Sequence, residues 1–145
     1  MNTEHTKALM KKYPFLRPEP PMTLKDGTPF IHDLMNFGFE CGDGWYPLLD
    51  SCCAKIMEII NNNDGLGFKA DQIKEKYGGL RFYFTLKFDA NMPIGQKEKL
   101  ADAIDEIITM AEEKSFEVCE TCSAPGKLEE VHGWMFTVCK NHVKR

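Results

Sequence analysis

Gln72-Ile73-Lys74-Glu75-Lys76-Tyr77-Gly78-Gly79-Leu80-Arg81-Phe82-Tyr83-Phe84-Thr85-Leu86 is the stretch on which the fold turns. Leu80 to Leu86 is dense in aromatic and β-favouring residues, and its alternation places Leu80, Phe82 and Phe84 on one face of a central strand. The residues before Gly78-Gly79 admit two readings. Ala70, Ile73 and Tyr77 fit a helical stripe, whereas Gln72 to Tyr77 can pair with the following strand across a Gly-Gly turn. The hairpin is the reading adopted, and it makes the centre of the sheet antiparallel.

Working outward, two long periodic stretches flank this segment. In the first, Trp45, Leu48, Leu49, Cys52, Ile56, Ile59 and Ile60 recur at helical intervals, with Asp43 placed to cap the start and Pro47 tolerable only in the first turn. Asn61-Asn62-Asn63-Asp64-Gly65 ends it. The second covers about Gln96 to Lys114, with Leu100, Ile104, Ile107, Ile108 and Ala111 on its apolar stripe. Phe37-Gly38-Phe39-Glu40-Cys41 alternates as a short strand. The expected class is therefore α+β: two main helices packed on a small, mostly antiparallel sheet. Upstream, Thr3 to Tyr13 reads as a short helix with Ala8, Leu9 and Lys12 on one face and Pro14 as its stop. Pro18-Glu19-Pro20-Pro21 must run extended as a strap, and Asp26-Gly27 offers a tight turn. This divides the chain into an N-terminal helix and strap over 1–36, an α+β core over 37–116 and a metal-binding hairpin over 117–145.

The last segment carries the strongest chemical signal. Cys119-Glu120-Thr121-Cys122 and Cys139-Lys140-Asn141-His142 have the spacing of four ligands on one tetrahedral zinc ion. Between them Ala124-Pro125-Gly126 and His132-Gly133 mark turns, and Trp134, Phe136 and Val138 alternate as a strand leading to Cys139. The expected product is a zinc-ribbon-like hairpin clipped at its base. His132 is a competing ligand for His142. Zinc is favoured over iron by the mixed sulfur and nitrogen set, and four protein ligands leave no open position for water, which assigns the ion to folding. A redox reading of Cys119-x-x-Cys122 lacks the following helix and basic surroundings that lower a thiol pKa.

Composition bounds the rest. The 145 residues, 43% hydrophobic and 28% charged, are ordinary for a globular domain and hold no apolar run of membrane length. The N-terminus lacks a basic start and apolar stretch, so the expected location is the cytoplasm, where six cysteines read as three zinc thiolates plus free Cys41, Cys52 and Cys53. A net charge of -4 argues against a wholly basic surface. Local patches remain: Lys74, Lys76, Arg81 and Tyr83 interleave cations with aromatics as single-strand nucleic-acid surfaces do, and Lys140, Lys144 and Arg145 crowd the end of the chain. The same cluster has a structural reading, in which Glu75 and Asp43 pair with Arg81. Asp102, Asp105, Glu106, Glu112 and Glu113 line the long helix, either as a solvated face or as one that meets a basic partner. No catalytic constellation convinces. Cys41 with His32, or Glu40 with Asp43, would be needed for a hydrolase, and sequence proximity establishes neither.

Taken together, Phe39-Glu40-Cys41-Gly42-Asp43-Gly44-Trp45, Lys74 to Tyr83 and the two ligand pairs resemble a family of small phage and prophage proteins of unassigned function. The resemblance spans most of the chain after Phe37. It implies a phage-encoded accessory protein acting inside a bacterial cell, and it implies no activity, catalytic residue or partner. Where such proteins carry Cys-x-x-Cys-Gly, this chain has Ser123, so the first turn must manage without a glycine. The function expected is binding of a host or phage protein, with inhibition of a host defence system as its use. The alternative is a nucleic-acid-binding zinc protein using Lys74, Lys76, Arg81 and Tyr83.

Overall fold

A computed structural model of the chain describes residues 1–143. The Asn2 side chain accepts the His5 N–H at 2.8 Å and so opens helix α1, Thr3–Lys12, with Glu4 in its first turn and lysines in its last. Of the expected stripe only Leu9 is buried; Ala8 is exposed and Lys12 reaches out to Asp50 at 3.0 Å. The apolar anchor lies just beyond, where Tyr13, Phe15 and Leu16 enter the core around a 3-10 turn at Pro14–Leu16.

The strap then forms a small hairpin, β1 Met22–Thr23 with β2 Pro29–Phe30, around the turn at Asp26 and Gly27. Asp33 pins it to the body. Its carboxylate accepts N–H groups from Glu19 (2.8 Å) and Met35 (2.9 Å) and pairs with Lys69 at 3.0 Å, all while buried. Strand β3 is only Phe39–Glu40, shorter than the expected Phe37–Cys41, because Leu34–Phe37 winds into a 3-10 turn and Gly38 takes a φ of 68°. It runs parallel to the next strand through Phe39 with Ile73 and Glu40 with Lys74.

Helix α2 is Tyr46–Asn61, and Pro47 sits in its first turn. Asp43 does not cap it. A 3-10 turn at Asp43–Trp45 intervenes, so the capping position falls on Trp45, and the Asp43 carboxylate turns to the N-terminal segment, accepting from Asn2 N–H at 2.6 Å and facing His5 at 3.1 Å.

Strands β4, Leu66–Lys76, and β5, Gly79–Phe88, form the long hairpin that organises the core. A bulge between Ala70 and Gln72 resets the alternation, so Ala70 and Ile73, three residues apart, both point inward and are fully buried. That odd spacing is why these two also fit a helical stripe. Inward Phe68, Phe82 and Phe84 pack together with Phe15, whose ring meets Phe68 edge-on at 4.9 Å. Helix α3, Ile94–Ser115, lies against β5 and α2, burying Leu100, Ile104, Ile108 and Ala111. Its last turns also reach the strand backbone: Glu112 Oε2 accepts from Phe82 N–H at 3.0 Å and Ser115 Oγ from Leu80 N–H at 2.9 Å. Finally β6, Lys127–Val131, pairs with β7, Trp134–Val138, as a separate antiparallel hairpin. The architecture is α+β, and among the described residues no helix is long and apolar enough to cross a membrane.

Candidate metal centre

Cys119 and Cys122 lie on the knuckle before β6, and Cys139 and His142 on a turn after β7. The β6–β7 register, Lys127 opposite Val138, brings both ends of the hairpin together. The knuckle is closed by Cys119 N–H to Ala124 O (2.8 Å) and Ser123 N–H to Cys119 O (3.0 Å), and the second turn by His142 N–H to Cys139 O (3.0 Å). Ligand atoms of Cys119, Cys122, Cys139 and His142 consequently all lie within 4.8 Å of one another and could hold a metal ion. His142 presents Nδ1, 3.1 Å from Cys139 Sγ and 3.8 Å from Cys119 Sγ. His132 sits at the opposite end of the hairpin, in its exposed tip, and takes no part in the cluster.

The electrostatics favour a cation. Burial opposes ionisation of Cys119, but N–H groups of Cys139, Cys122 and Thr121 outweigh it and draw the thiol down to about 6. Cys122 moves the other way. An N–H from Ala124 favours its thiolate, yet desolvation and the neighbouring sulfurs of Cys119 and Cys139 raise its pKa. One thiolate forms readily and crowds the next, the condition that a bound cation relieves.

Ser123 occupies the position where a glycine is expected, and it does so with a φ of 72°. A β-carbon in that region costs energy. The hydroxyl offsets the strain by donating to Gly44 O at 2.7 Å. This contact is one of several that seat the knuckle on the core. Gly44 N–H donates to Glu120 O at 2.7 Å, the indole N–H of buried Trp45 to Val118 O at 2.9 Å, and Thr137 Oγ1 to Gly78 O at 2.6 Å. Gly42-Asp43-Gly44 is therefore a landing surface: a β-carbon at Gly44 would come within 2.1 Å of Cys119 O, and one at Gly42 within 2.3 Å of Glu120 O. The sequence signal was two glycines around one aspartate, which alone does not name the segment that presses against them.

The other candidates fall out as follows. Cys41 is buried, which pushes its thiol up to about 12, and His32 engages Glu19 at 3.1 Å. Cys52 is likewise pushed up to about 12, and Cys53 well above the ordinary range. Register places Lys74 opposite Arg81, Gln72 opposite Tyr83 and Lys76 opposite Gly79, so Lys74, Lys76, Arg81 and Tyr83 share the outer face of the β4–β5 hairpin. Arg81 pairs with neither Asp43 nor Glu75 among the described residues; Asp43 faces His5, and Glu75 accepts from Gly78 N–H at 3.4 Å. On α3, Asp102, Asp105, Glu106 and Glu113 are exposed, while Glu112 is turned onto β5. Lys140 is exposed; Lys144 and Arg145 lie outside the described residues. Compared with protein-family models, with curated proteins and with solved structures, the chain finds no match in any of the three.

Proposed function

We propose that this chain is a phage-type accessory protein of the bacterial cytoplasm, with a structural zinc ion and no catalytic role, that binds a host or phage protein and thereby inhibits a host defence system. The observation that carries the binding reading is the strap. Met22, Leu24, Phe30, Ile31, Leu34 and Phe37 are all exposed within one short segment, Phe37 to 58%, although Asp33 holds that segment firmly. Exposed apolar side chains concentrated in one segment and adding nothing to the core suit a surface that meets a partner. Zinc is supported by the donor set and by spacing: a tetrahedral ion with Zn–S bonds of about 2.3 Å separates sulfurs by about 3.8 Å, and Cys122 and Cys139 stand 3.7 Å apart. All four positions would be filled by protein, which suits a clip.

Two measurements test this. Metal analysis should find about one zinc per chain, lost in Cys122→Ser. Affinity capture from host lysate, with untagged protein as competitor, should recover a specific partner that Phe30→Ser/Phe37→Ser no longer holds while its circular dichroism stays unchanged. Equal capture by that variant sinks the strap reading.

A second reading, nucleic-acid binding, is favoured by the shared outer face of Lys74, Lys76, Arg81 and Tyr83. Mobility shift over a salt series checks it: affinity should fall steeply with salt and be lost in Lys76→Ala/Arg81→Ala.

A further inference from the structure

The first of two hairpin turns abuts the strands of the second hairpin at Leu128, Met135 and Thr137, and both turns use backbone that side chains rarely adopt. Tyr77-Gly78 joins β4 to β5 with φ values of 54° and 85°, and His132-Gly133 joins β6 to β7 with 52° and 82°. Successive positive φ suits two-residue hairpins when Asn, Asp or Gly takes the first position. Tyrosine gains no such relief. The residue is 70% exposed, so burial returns little to the fold for the strain. A strained residue without a packing role points to a use outside folding.

Across from Tyr77 stands Trp134, 72% exposed. Together with Lys76, Met135, Phe136 and Glu75 the two rings line a cleft of about 420 Å³. Its walls are fixed relative to each other, because Thr137 Oγ1 donates to Gly78 O and Leu128 packs so closely that a β-carbon at Gly78 would approach it to 2.4 Å. Lys76 Nζ lies over the Tyr77 ring, 5.5 Å from its centroid, and Lys74 and Arg81 continue the positive charge along the adjoining sheet face. The one acid in the lining, Glu75, is engaged by the turn amide of Gly78.

Aromatic walls beside a row of cations match a chain of planar, anionic units whose faces are free. Unpaired nucleic acid is such a chain; a duplex hides its base faces, and a proline-rich peptide makes no use of the cations. We infer that the cleft between Tyr77 and Trp134 is a base-stacking site for single-stranded nucleic acid, with Lys76, Lys74 and Arg81 receiving the phosphates. The inference rests on the nucleic-acid reading of the adjoining face.

The chain has two tryptophans, one fully buried and one at the cleft, so the solvent-exposed emission reports on Trp134. Titration with a short oligothymidylate at low salt should quench that emission and shield it from iodide. Trp134→Ala, which removes the reporter and is therefore followed by mobility shift, should weaken binding about tenfold. Tyr77→Asn, which removes the ring and relieves the turn, should weaken it comparably while the melting temperature stays level or rises. The oligomer annealed to its complement should compete at least about tenfold less well. Parental affinity in both variants, or equal binding of duplex, overturns the cleft and leaves the charged face standing. Absence of binding to any oligonucleotide overturns both. Quenching by a proline-rich peptide in place of the oligonucleotide overturns the cleft's assignment to nucleic acid.

Discussion

The hairpins β4–β5 and β6–β7 have similar turns and opposite foundations. β4–β5 lays Phe68, Ala70, Ile73, Leu80 and Phe82 into the core, while among the described residues β6–β7 and its flanks bury Thr137 and a small separate apolar cluster of Val138, Cys139 and Cys119. At about 25 cal/mol per Å² of apolar area, the first can stand on burial and the second cannot. A small hairpin without a core needs a staple: the contacts at Gly44, Trp45 and Gly78 supply one, and the four clustered ligand atoms could supply another by holding a metal ion.

Removing the metal should break this contrast most visibly. Coordination at such sites is worth on the order of 10 kcal/mol. Chelation or Cys122→Ser should abolish amide exchange protection over residues 117–143 and leave β4–β5 protected. Simultaneous loss in both hairpins would show that the core also leans on the clip. The converse is Phe82→Ala, which should cost about 3 to 5 kcal/mol in urea denaturation, with zinc content unchanged in the folded fraction.

Asp33 tests the core side more gently. Burial opposes its ionisation, but the amides of Glu19 and Met35 and the Lys69 ammonium outweigh it and lower its pKa. A carboxyl depressed in the folded state stabilises above the ordinary value of 3.8, and that contribution fades as pH falls through the folded value. Asp33→Asn should therefore cost about 2 kcal/mol at neutral pH and flatten the acid limb of the stability curve. A parallel downward shift without flattening would exclude the carboxylate as the cause. The smallest effect belongs to the joint between the hairpins: Thr137→Val removes the bond to Gly78 O and should cost about 1 kcal/mol. Differential scanning calorimetry should show it in the metal-loaded protein.

Much of this is legible in the amino-acid sequence. Periodicity located both long helices, and ligand spacing located the cluster, because each signal is local in sequence. Three things were hidden for a common reason. The bulge at Ala70 to Gln72 imitates helical spacing; the glycines at 42 and 44 answer to Cys119 and Glu120, far along the chain; and the Asp43 carboxylate is drawn to Asn2 and His5 rather than to the helix it precedes. Each depends on which distant segment arrives. Ser123 was half readable: the missing glycine announced strain, but the compensating bond to Gly44 O needed the tertiary contact.

The reach of α3 back to β5 has a consequence for crowded solutions. Glu112 and Ser115 already occupy the outward amides of Phe82 and Leu80, so a strand from another molecule finds no donors to recruit along that stretch. Concentrated protein should accordingly resist fibre-like growth from that margin for as long as the helix stays in place.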